Sequence, residues 1–352
     1  MSAVLPDSAL PKTVALPRSD GVWRAAWKRL RADHVGVASM FVVLFFIALI
    51  LLAAGGLVAK DWQKEVGVPS APPTFLGPAP VVEAGAIAVP KGPNVDLSAV
   101  DPLAPRYKEW DERAAKFKAV EQVKADTLPF GGDRLGRDVL AKATKGTQTS
   151  VFVGLAGAVL AALIGTLLGA LAGFFGGWVG DLLEWLYSVF TAMPDILLLL
   201  VFAAIFGRGI GSVAIILALV GWTSVYRQVR AEFLKHSVRD YVRSAEAIGA
   251  SIASRMFRHI LPNISHVILV RTSLLVVGFI KFEVILSYLG LGVGVDDVSW
   301  GTMLAEAQSE LILGHWWQLV AATGFMAVFV TAFSLFTDAL RDALDPKLRG
   351  LE

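Results

Sequence analysis

The sequence predicts an all-α integral membrane protein with six transmembrane helices. Of its 352 residues, 55% are hydrophobic and only 18% are charged, which is more apolar than is usual for a soluble domain. The apolar residues are grouped into six blocks of about 20 residues, the length that a helix needs to cross the hydrocarbon core of a bilayer. This composition argues against a water-soluble enzyme.

The six blocks can be taken in chain order. The first, 35–59, carries no charge and is too long for the core of a signal peptide, so we expect it to remain as an anchor. The third contains Pro194, which removes a backbone hydrogen bond and should kink the helix, and it forms a hairpin with the fourth. The second to sixth blocks lie, in order, at 150–175, 182–206, 210–226, 267–291 and 316–340.

Charge distribution predicts the orientation. Segment 1–34 is rich in Lys and Arg and carries Trp23 and Trp27, which indicates a cytoplasmic lead with a short interfacial helix. Six crossings then place the basic loop 227–265 and the tail 341–352 inside as well. The opposite loop, 293–314, has four acidic residues and no Lys or Arg, as expected of an outer loop.

The long outer insert, 60–148, divides into two parts. Ten of the sixteen prolines lie between Pro69 and Pro129, which excludes a regular helix from the first part. Between Tyr107 and about Asp126 we expect one amphipathic helix lying on the outer face. A solvated spacer and a lid or docking surface for an external partner are equally compatible with the insert. The apolar residues at helical spacing are Trp110, Phe117, Val120 and Val123.

A glycine ladder runs through the second block at Gly165, Gly169, Gly173 and Gly177. Small residues four apart let two helix backbones approach closely in lipid. Packing within one subunit is the first interpretation, and a pore-lining or subunit-contact face is the alternative.

Ionisable residues inside the predicted spans are candidates for a transport pathway, because a charge in hydrocarbon is costly unless it faces water or a partner. The candidate pathway residues are Pro194, Asp195, Glu283 and Ser287. An ion-gradient-driven secondary transporter would use Lys281, Glu283 and Asp195 as its relay. Against that alternative, residues two apart on a helix point in different directions.

The inner loop is the most informative stretch. Its sequence predicts a helix from Tyr241, a break at Gly249, and a second helix ended by Leu261-Pro262. A cytoplasmic loop that forms two helices separated by a glycine break indicates a docking site for another protein.

This loop resembles the coupling loop of permease subunits of binding-protein-dependent ABC importers. In that family Glu-Ala-Ala is followed by three residues, Gly and, further along, Leu-Pro. Gly249 and Leu261-Pro262 resemble this arrangement, with eleven residues between Gly249 and Leu261. The residues that the resemblance assigns to ATPase coupling are Arg243, Ser244, Ala245, Glu246, Gly249, Ala250, Ser251, His259, Leu261 and Pro262.

Further motifs resemble the dipeptide, oligopeptide and nickel branch of the family. The outer motif Gly-x-Asp-x-Leu-Gly-Arg-Asp occurs at 131–138, with Asp133, Gly136, Arg137 and Asp138 as its candidate residues. Together the matches run from about Trp23 to Arg349, with the outer insert unmatched. The other matching stretches are 172–178, 286–292, 300–304 and 340–346.

The coupling loop also departs from the family pattern. Arg243 and Ser244 stand where relatives usually have Glu and Ala, and Glu246 stands where many have a basic residue. A swapped pair at i and i+3 can make the same intrahelical contact, but the charge presented to the docking partner is reordered.

The resemblance implies a type I ABC importer permease fold in a bacterial cytoplasmic (inner) membrane, with both termini inside. It implies a core at 149–340 containing the coupling loop, with the first helix wrapping outside. It also implies four kinds of partner: a second permease subunit, two cytoplasmic ATPases, an external solute-binding protein and membrane lipid. The expected substrates are di- or oligopeptides, with nickel or another non-peptide solute as the alternative.

Two absences from the sequence support a transport subunit that is not itself an enzyme. No Gly-x-x-x-x-Gly-Lys-Ser/Thr loop is present to cradle a nucleotide, so ATP and Mg²⁺ are expected on the ATPase subunits and no cofactor on this chain. There is no cysteine, and the five histidines show no metal-ligand spacing. The net charge of +2 does not indicate a nucleic-acid partner.

Overall fold

The structure, a computed structural model, describes residues 22–78, 101–116 and 124–344. These residues form helices and loops with four isolated β-bridges but no strand, which confirms the all-α prediction. The helices are α1 Val22–Ala32, α2 His34–Ala54, α3 Ala104–Lys116, α4 Val139–Phe175, α5 Gly177–Thr191, α6 Asp195–Phe206, α7 Ile210–Ser237, α8 Asp240–Ala247, α9 Ile252–Ser254, α10 Leu261–Tyr288, α11 Trp300–Ile312 and α12 Trp317–Leu344.

Four of the described helices are long and apolar enough to cross a membrane: α2, α4, α7 and α12. The pair α5 and α6 makes a fifth candidate if it is counted as one span. The fifth predicted block corresponds to α10, whose 28 residues include Arg271, Lys281 and Glu283.

The third predicted block is not one kinked helix. It is two helices, α5 and α6, whose axes are bent by 89° at the break around Pro194. Pro194 has a ψ of 132°, outside the helical region, and its ring also disfavours a helical conformation at the preceding Met193. The proline therefore ends one helix and begins the next.

The glycine ladder packs within this chain, as the first interpretation expected. A Cβ atom at Gly165, Gly169 or Gly173 would lie 2.6–2.7 Å from a backbone carbonyl oxygen of α7. Only glycine allows α4 and α7 to approach so closely. Gly177 takes no part, because it has a φ of 46° and no atom lies within 4 Å of its Cβ position.

The N-terminal helices pack on the end of the last one. Leu30 of α1 is buried with Ala339, Ala343 and Leu344 of α12, and α2 lies along α12. The predicted helix in the N-terminal lead is therefore present, although residues 1–21 lie outside the described part.

The predicted helix of the outer insert begins at Ala104, three residues before Tyr107. The side chains of residues 105–115 are all exposed, so they are not buried against the rest of the described chain. Phe117, Val120 and Val123 lie outside the described residues, as do the Pro-rich residues 79–100.

Candidate functional site

The predicted coupling residues lie on α8 and on the helical segments that follow it. α8 ends at a turn in which the Gly249 N–H donates to the Glu246 carbonyl and the Ala250 N–H donates to the Ala245 carbonyl, both at 2.9 Å. Gly249 has a φ of 86°, a left-handed conformation that glycine adopts without a steric penalty. The glycine break that the sequence predicted is therefore a helix C-terminal turn.

One face of α8 is buried and the other is open. Val242 is buried with Met256 and Ile260, which lie in the next helical segment, and Ala245 is buried on the same face. Arg243, Ser244 and Glu246 consequently lie on the exposed side.

Apolar side chains are exposed beside those polar ones. Ile248 is 85% exposed at the end of α8, and Tyr241, Ile252 and Phe257 are exposed nearby. We call this exposed set, together with Arg243, Ser244 and Glu246, the α8 surface. A mixed apolar and charged surface of this kind is suited to contact with another protein.

The Leu-Pro pair begins a helix and does not end one, contrary to the sequence prediction. The chain is helical without interruption from Ile252 to Tyr288, through a π-helical segment at Arg255–Ile260. Pro262 is the second residue of α10, directly after the change from π-helical to α-helical backbone, and the φ that its ring fixes fits a helix. The second half of the loop is thus a direct extension of α10.

The reordered charges make a different contact from the expected intrahelical pair. Glu246 Oε1 lies 2.6 Å from Arg255 Nη1, so Glu246 pairs with the π-helical segment and not with Arg243. The guanidinium of Arg255 also lies 5.5 Å from the ring centre of Phe174. This pair links α8 to the segment that continues into α10.

The remaining predicted coupling residues lie around these contacts. The Ser251 hydroxyl accepts from the Ser254 N–H at 3.2 Å and so caps the second helical segment. Asn263 donates to the His259 carbonyl at 2.6 Å. Ala250, His259 and Leu261 are half-buried, whereas Gly249, Ser251 and Pro262 are exposed.

A polar cavity of about 170 Å³ lies between α6, α7 and α10. Its polar lining comes from Asp195, Thr223, Ser224 and Arg271, and its other walls are apolar. A larger cavity of about 670 Å³ lies between α2 and α12, but its lining includes no acidic residue, Lys or Arg. The smaller cavity therefore offers the chemistry for a polar solute.

The structure separates the predicted pathway residues. Asp195 lines the polar cavity, but Glu283 and Ser287 are buried near the end of α10, where Ser287 Oγ donates to Glu283 Oε1 at 2.7 Å. Ser287 Oγ also accepts from the Val293 N–H at 3.3 Å, which fixes the loop after α10. Glu283 and Ser287 thus lie outside the lining of the polar cavity, and Pro194 directly precedes Asp195 at the start of α6.

The three residues of the alternative ion relay do not line a common cavity in the structure. Asp195 lines the cavity, Glu283 is fully buried, and Lys281 is exposed on α10 and does not line the cavity. Arg271, to which the sequence analysis gave no role, is the basic residue of the cavity; its position ten residues before Lys281 in an otherwise apolar stretch was the available signal.

The outer motif builds a buried polar cluster. Asp133 accepts backbone hydrogen bonds from Leu135 at 2.9 Å and Arg137 at 3.0 Å, and its other oxygen lies 2.6 Å from Arg137 Nε and 2.7 Å from Lys142 Nζ. Lys142 also pairs with Glu306 of α11. The motif therefore joins the start of α4 to α11.

The cluster extends to α12 through residues that the sequence analysis missed. Gln318 donates to Glu306 Oε2 at 3.0 Å, and the Trp317 indole donates to the Gly132 carbonyl at 2.6 Å. Gly136 has a φ of 79° and lies against the Gly67 backbone, so the absence of a side chain at Gly136 allows the first part of the insert to approach the outer motif. Asp138 caps α4 by accepting from the Leu140 N–H at 2.8 Å.

Comparison with known proteins adds a family match. The model of the family described as "Binding-protein-dependent transport system inner membrane component" matches residues 165–350. A second, described as "N-terminal TM domain of oligopeptide transport permease C", matches residues 21–73. The two matches include the α8 surface, the polar cavity and α2.

Curated relatives cover most of the chain. The oligopeptide transport system permease protein OppC of Bacillus subtilis is 34% identical over 70% of this chain and 81% of its own length. The dipeptide transport system permease protein DppC of the same organism is 28% identical over 92% of this chain and 85% of its own. OppC of Escherichia coli K12 is 38% identical over 62% of this chain and 72% of its own.

Proposed function

Because this chain belongs to the family of inner-membrane components of binding-protein-dependent transport systems, we propose that it is a permease subunit that forms half of the pathway of an ATP-driven peptide importer. The observation that carries the proposal is the similarity to oligopeptide and dipeptide permeases along most of the chain. The chain is not an enzyme, and it is a multi-pass protein of the inner membrane.

The proposed complex contains this chain, a second permease subunit, two cytoplasmic ATPases and an external solute-binding protein. ATP and Mg²⁺ bind the ATPases, because this sequence has no phosphate-binding loop. The second permease covers the exposed faces of α6 and α10 and completes the pathway.

In the membrane we place six crossings: α2, α4, the bent pair α5 and α6, α7, α10 and α12. The α8 surface and both termini lie on the cytoplasmic side, where Lys and Arg are in excess. The outer polar cluster and the insert lie on the opposite side. This arrangement is consistent with the parallel packing of α4 on α7 through the glycine ladder, because helices two crossings apart run in the same direction.

The proposed mechanism transmits movement of the ATPases to the pathway. The α8 surface seats on one ATPase, and Val242 and the Glu246–Arg255 pair tie α8 to the π-helical segment. That segment continues without a break into α10, which lines the polar cavity with Arg271 and Phe282. Closure of the ATPases would thus move a wall of the cavity and alternate its access.

Substitution of Gly249 tests the coupling role. Gly249→Asp places a charged side chain on the α8 surface and strains the turn by about 1–2 kcal/mol. We expect the reconstituted complex to lose peptide-stimulated ATP hydrolysis while the subunit remains in the membrane, and affinity purification to recover less ATPase. Unchanged hydrolysis would refute the coupling role.

The chain offers a matched control at the end of α11. Gly314 has the same φ of 86°, closes the same kind of helix turn, and also has no atom within 4 Å of its Cβ position. Gly314→Asp introduces the same local strain away from the α8 surface. It should retain the ATPases on affinity purification, so a loss in both variants would indicate misfolding.

A further inference from the structure

The polar cavity has opposite charges on two of its walls. Asp195 stands in the first turn of α6, and Arg271 stands near the middle of α10. Within the described part of the chain, no ion pair joins Arg271 to a carboxylate. The two charges therefore line one space without neutralising each other by contact.

Arg271 has an unused donor. Its Nε is buried and has no hydrogen-bond partner among the described residues. A buried polar group without a partner is costly, and more so for a charged side chain inside a membrane. The planar guanidinium matches the two oxygens of a carboxylate, which makes an anionic group of the solute its natural partner.

The side of the cavity formed by α6 and α7 carries hydrogen-bond acceptors. The Thr223 hydroxyl donates to the Val220 carbonyl at 3.3 Å, and the Ser224 hydroxyl donates to the Gly221 carbonyl at 3.0 Å. With their hydrogens engaged, both oxygens remain as acceptors beside the Asp195 carboxylate. Acceptors without donors suit an ammonium group.

We propose that Arg271 binds the C-terminal carboxylate of the transported peptide and that Asp195, with the Thr223 and Ser224 oxygens, receives its ammonium end. This proposal rests on the proposed function and assigns the substrate contacts within it. A volume of about 170 Å³, about six times the ~30 Å³ share of one water molecule, limits the site to the smallest zwitterionic peptides. Longer peptides extend into the half supplied by the second permease.

A cysteine reporter tests the site without the binding protein. The chain contains no cysteine, and Gly278 lines the cavity with no atom within 4 Å of its Cβ position. In the complex of both permeases and the ATPases, a small maleimide should label Gly278→Cys. We expect alanyl-alanine at about ten times its apparent Kd to slow this labelling about tenfold, because only the empty site reacts.

Modified peptides and protein variants then test separately the contacts proposed for the carboxylate end and the ammonium end of the peptide. Alanyl-alanine amide and N-acetyl-alanyl-alanine should each slow the maleimide labelling of Gly278→Cys only weakly, because each lacks one of the two charged ends. Arg271→Gln should abolish protection by alanyl-alanine, Arg271→Lys should keep part of it, and Asp195→Asn should remove the penalty for N-acetylation. Lys281→Gln, which changes an α10 charge outside the cavity lining, should keep full protection.

Gly324→Cys on α12 is the matched control, because Gly324 also has open space at its Cβ position and lies outside the polar cavity. Peptide should not affect its labelling. Absence of labelling at Gly278→Cys, or full protection in an assembled Arg271→Gln complex, would overturn the site. If the wild-type complex with its binding protein also takes up no peptide, the proposed function fails as well; if uptake is normal, only the site fails.

Discussion

Glu310 of α11 lies beside the outer polar cluster, since its Oε1 accepts from the Arg134 N–H at 3.0 Å. The pKa values of Asp133 and Glu310 shift in opposite directions. Burial alone would raise the pKa of Asp133, but Lys142 and Arg137 together hold it below its usual value. Burial raises the pKa of Glu310, and the nearby Asp133 and Glu306 carboxylates act in the same direction. Glu310 Oε2 also has no hydrogen-bond partner among the described residues.

These directions fix the sign of the pH dependence. A carboxyl with a lowered pKa stabilises the fold above its unfolded pKa, and this contribution is lost as the pH falls through the folded pKa. Asp133 therefore contributes at neutral pH and loses its contribution in acid. Glu310 behaves in the opposite way, because its contribution is greatest in acid and is lost as the pH rises through its folded pKa.

Glu310→Gln should therefore raise the unfolding temperature of the purified complex at pH 7. The amide oxygen can still accept the Arg134 N–H, which is 3.0 Å from Glu310 Oε1, and the buried charge is gone. The gain should shrink as the pH is lowered, measured by thermal unfolding across the acid range.

The contrasting variant is Asp133→Asn. It leaves Lys142 buried with less compensation, so we expect a loss of about 3 kcal/mol or more in the free energy of unfolding at pH 7. A lower unfolding temperature for Glu310→Gln than for the wild type at pH 7 would contradict this account of the cluster.

At the scale of elements, the most extensive helix contact in the described structure is that of α4 with α7. The three ladder glycines lie against successive turns of α7, beside the carbonyls of Trp222, Tyr226 and Arg230. The contact is between backbones, so no side chain can move aside to relieve an added methyl group.

Gly169→Ala should consequently destabilise the subunit by about 1–3 kcal/mol, the usual cost of overpacking a tight core. Its Cβ would lie 2.7 Å from the Tyr226 carbonyl oxygen, so α7 has to shift. Thermal unfolding in detergent, compared with the wild type, measures this cost.

Gly324→Ala on α12 provides the reference for intrinsic helix propensity. No atom lies within 4 Å of its Cβ position, so alanine should be neutral or stabilising by up to about 1 kcal/mol. Equal effects of the two substitutions would show that backbone proximity does not decide the cost.

At the scale of the whole molecule, the absence of native cysteine allows the orientation to be tested directly. Leu135 is 42% exposed in the outer motif, and Asp342 is exposed near the end of α12. In intact cells a membrane-impermeant maleimide should label Leu135→Cys, and it should label Asp342→Cys only after the membrane is opened. Labelling of Asp342→Cys in intact cells would reverse the proposed topology.

Local patterns allowed much of this fold to be predicted. The apolar blocks located α2, α4, α7, α10 and α12, because a membrane-length apolar run favours a helix regardless of its neighbours. The Gly249 turn followed in the same way from glycine itself. The π-helical continuity across Leu261-Pro262 was not predictable, since proline fits the first turn of a helix as well as the residues after one.

The sequence by itself determined the all-helical class, the glycine face of α4 and the family resemblance, because each depends on residues close together in the chain. Only the tertiary structure decided which polar groups meet. In the structure Lys142 pairs with both Asp133 and Glu306. Asp195 and Arg271 line one cavity, whereas Glu283 and Ser287 lie outside its lining and contact each other. Such groupings depend on how helices distant in sequence pack, and periodicity along a single helix carries no information about its neighbour.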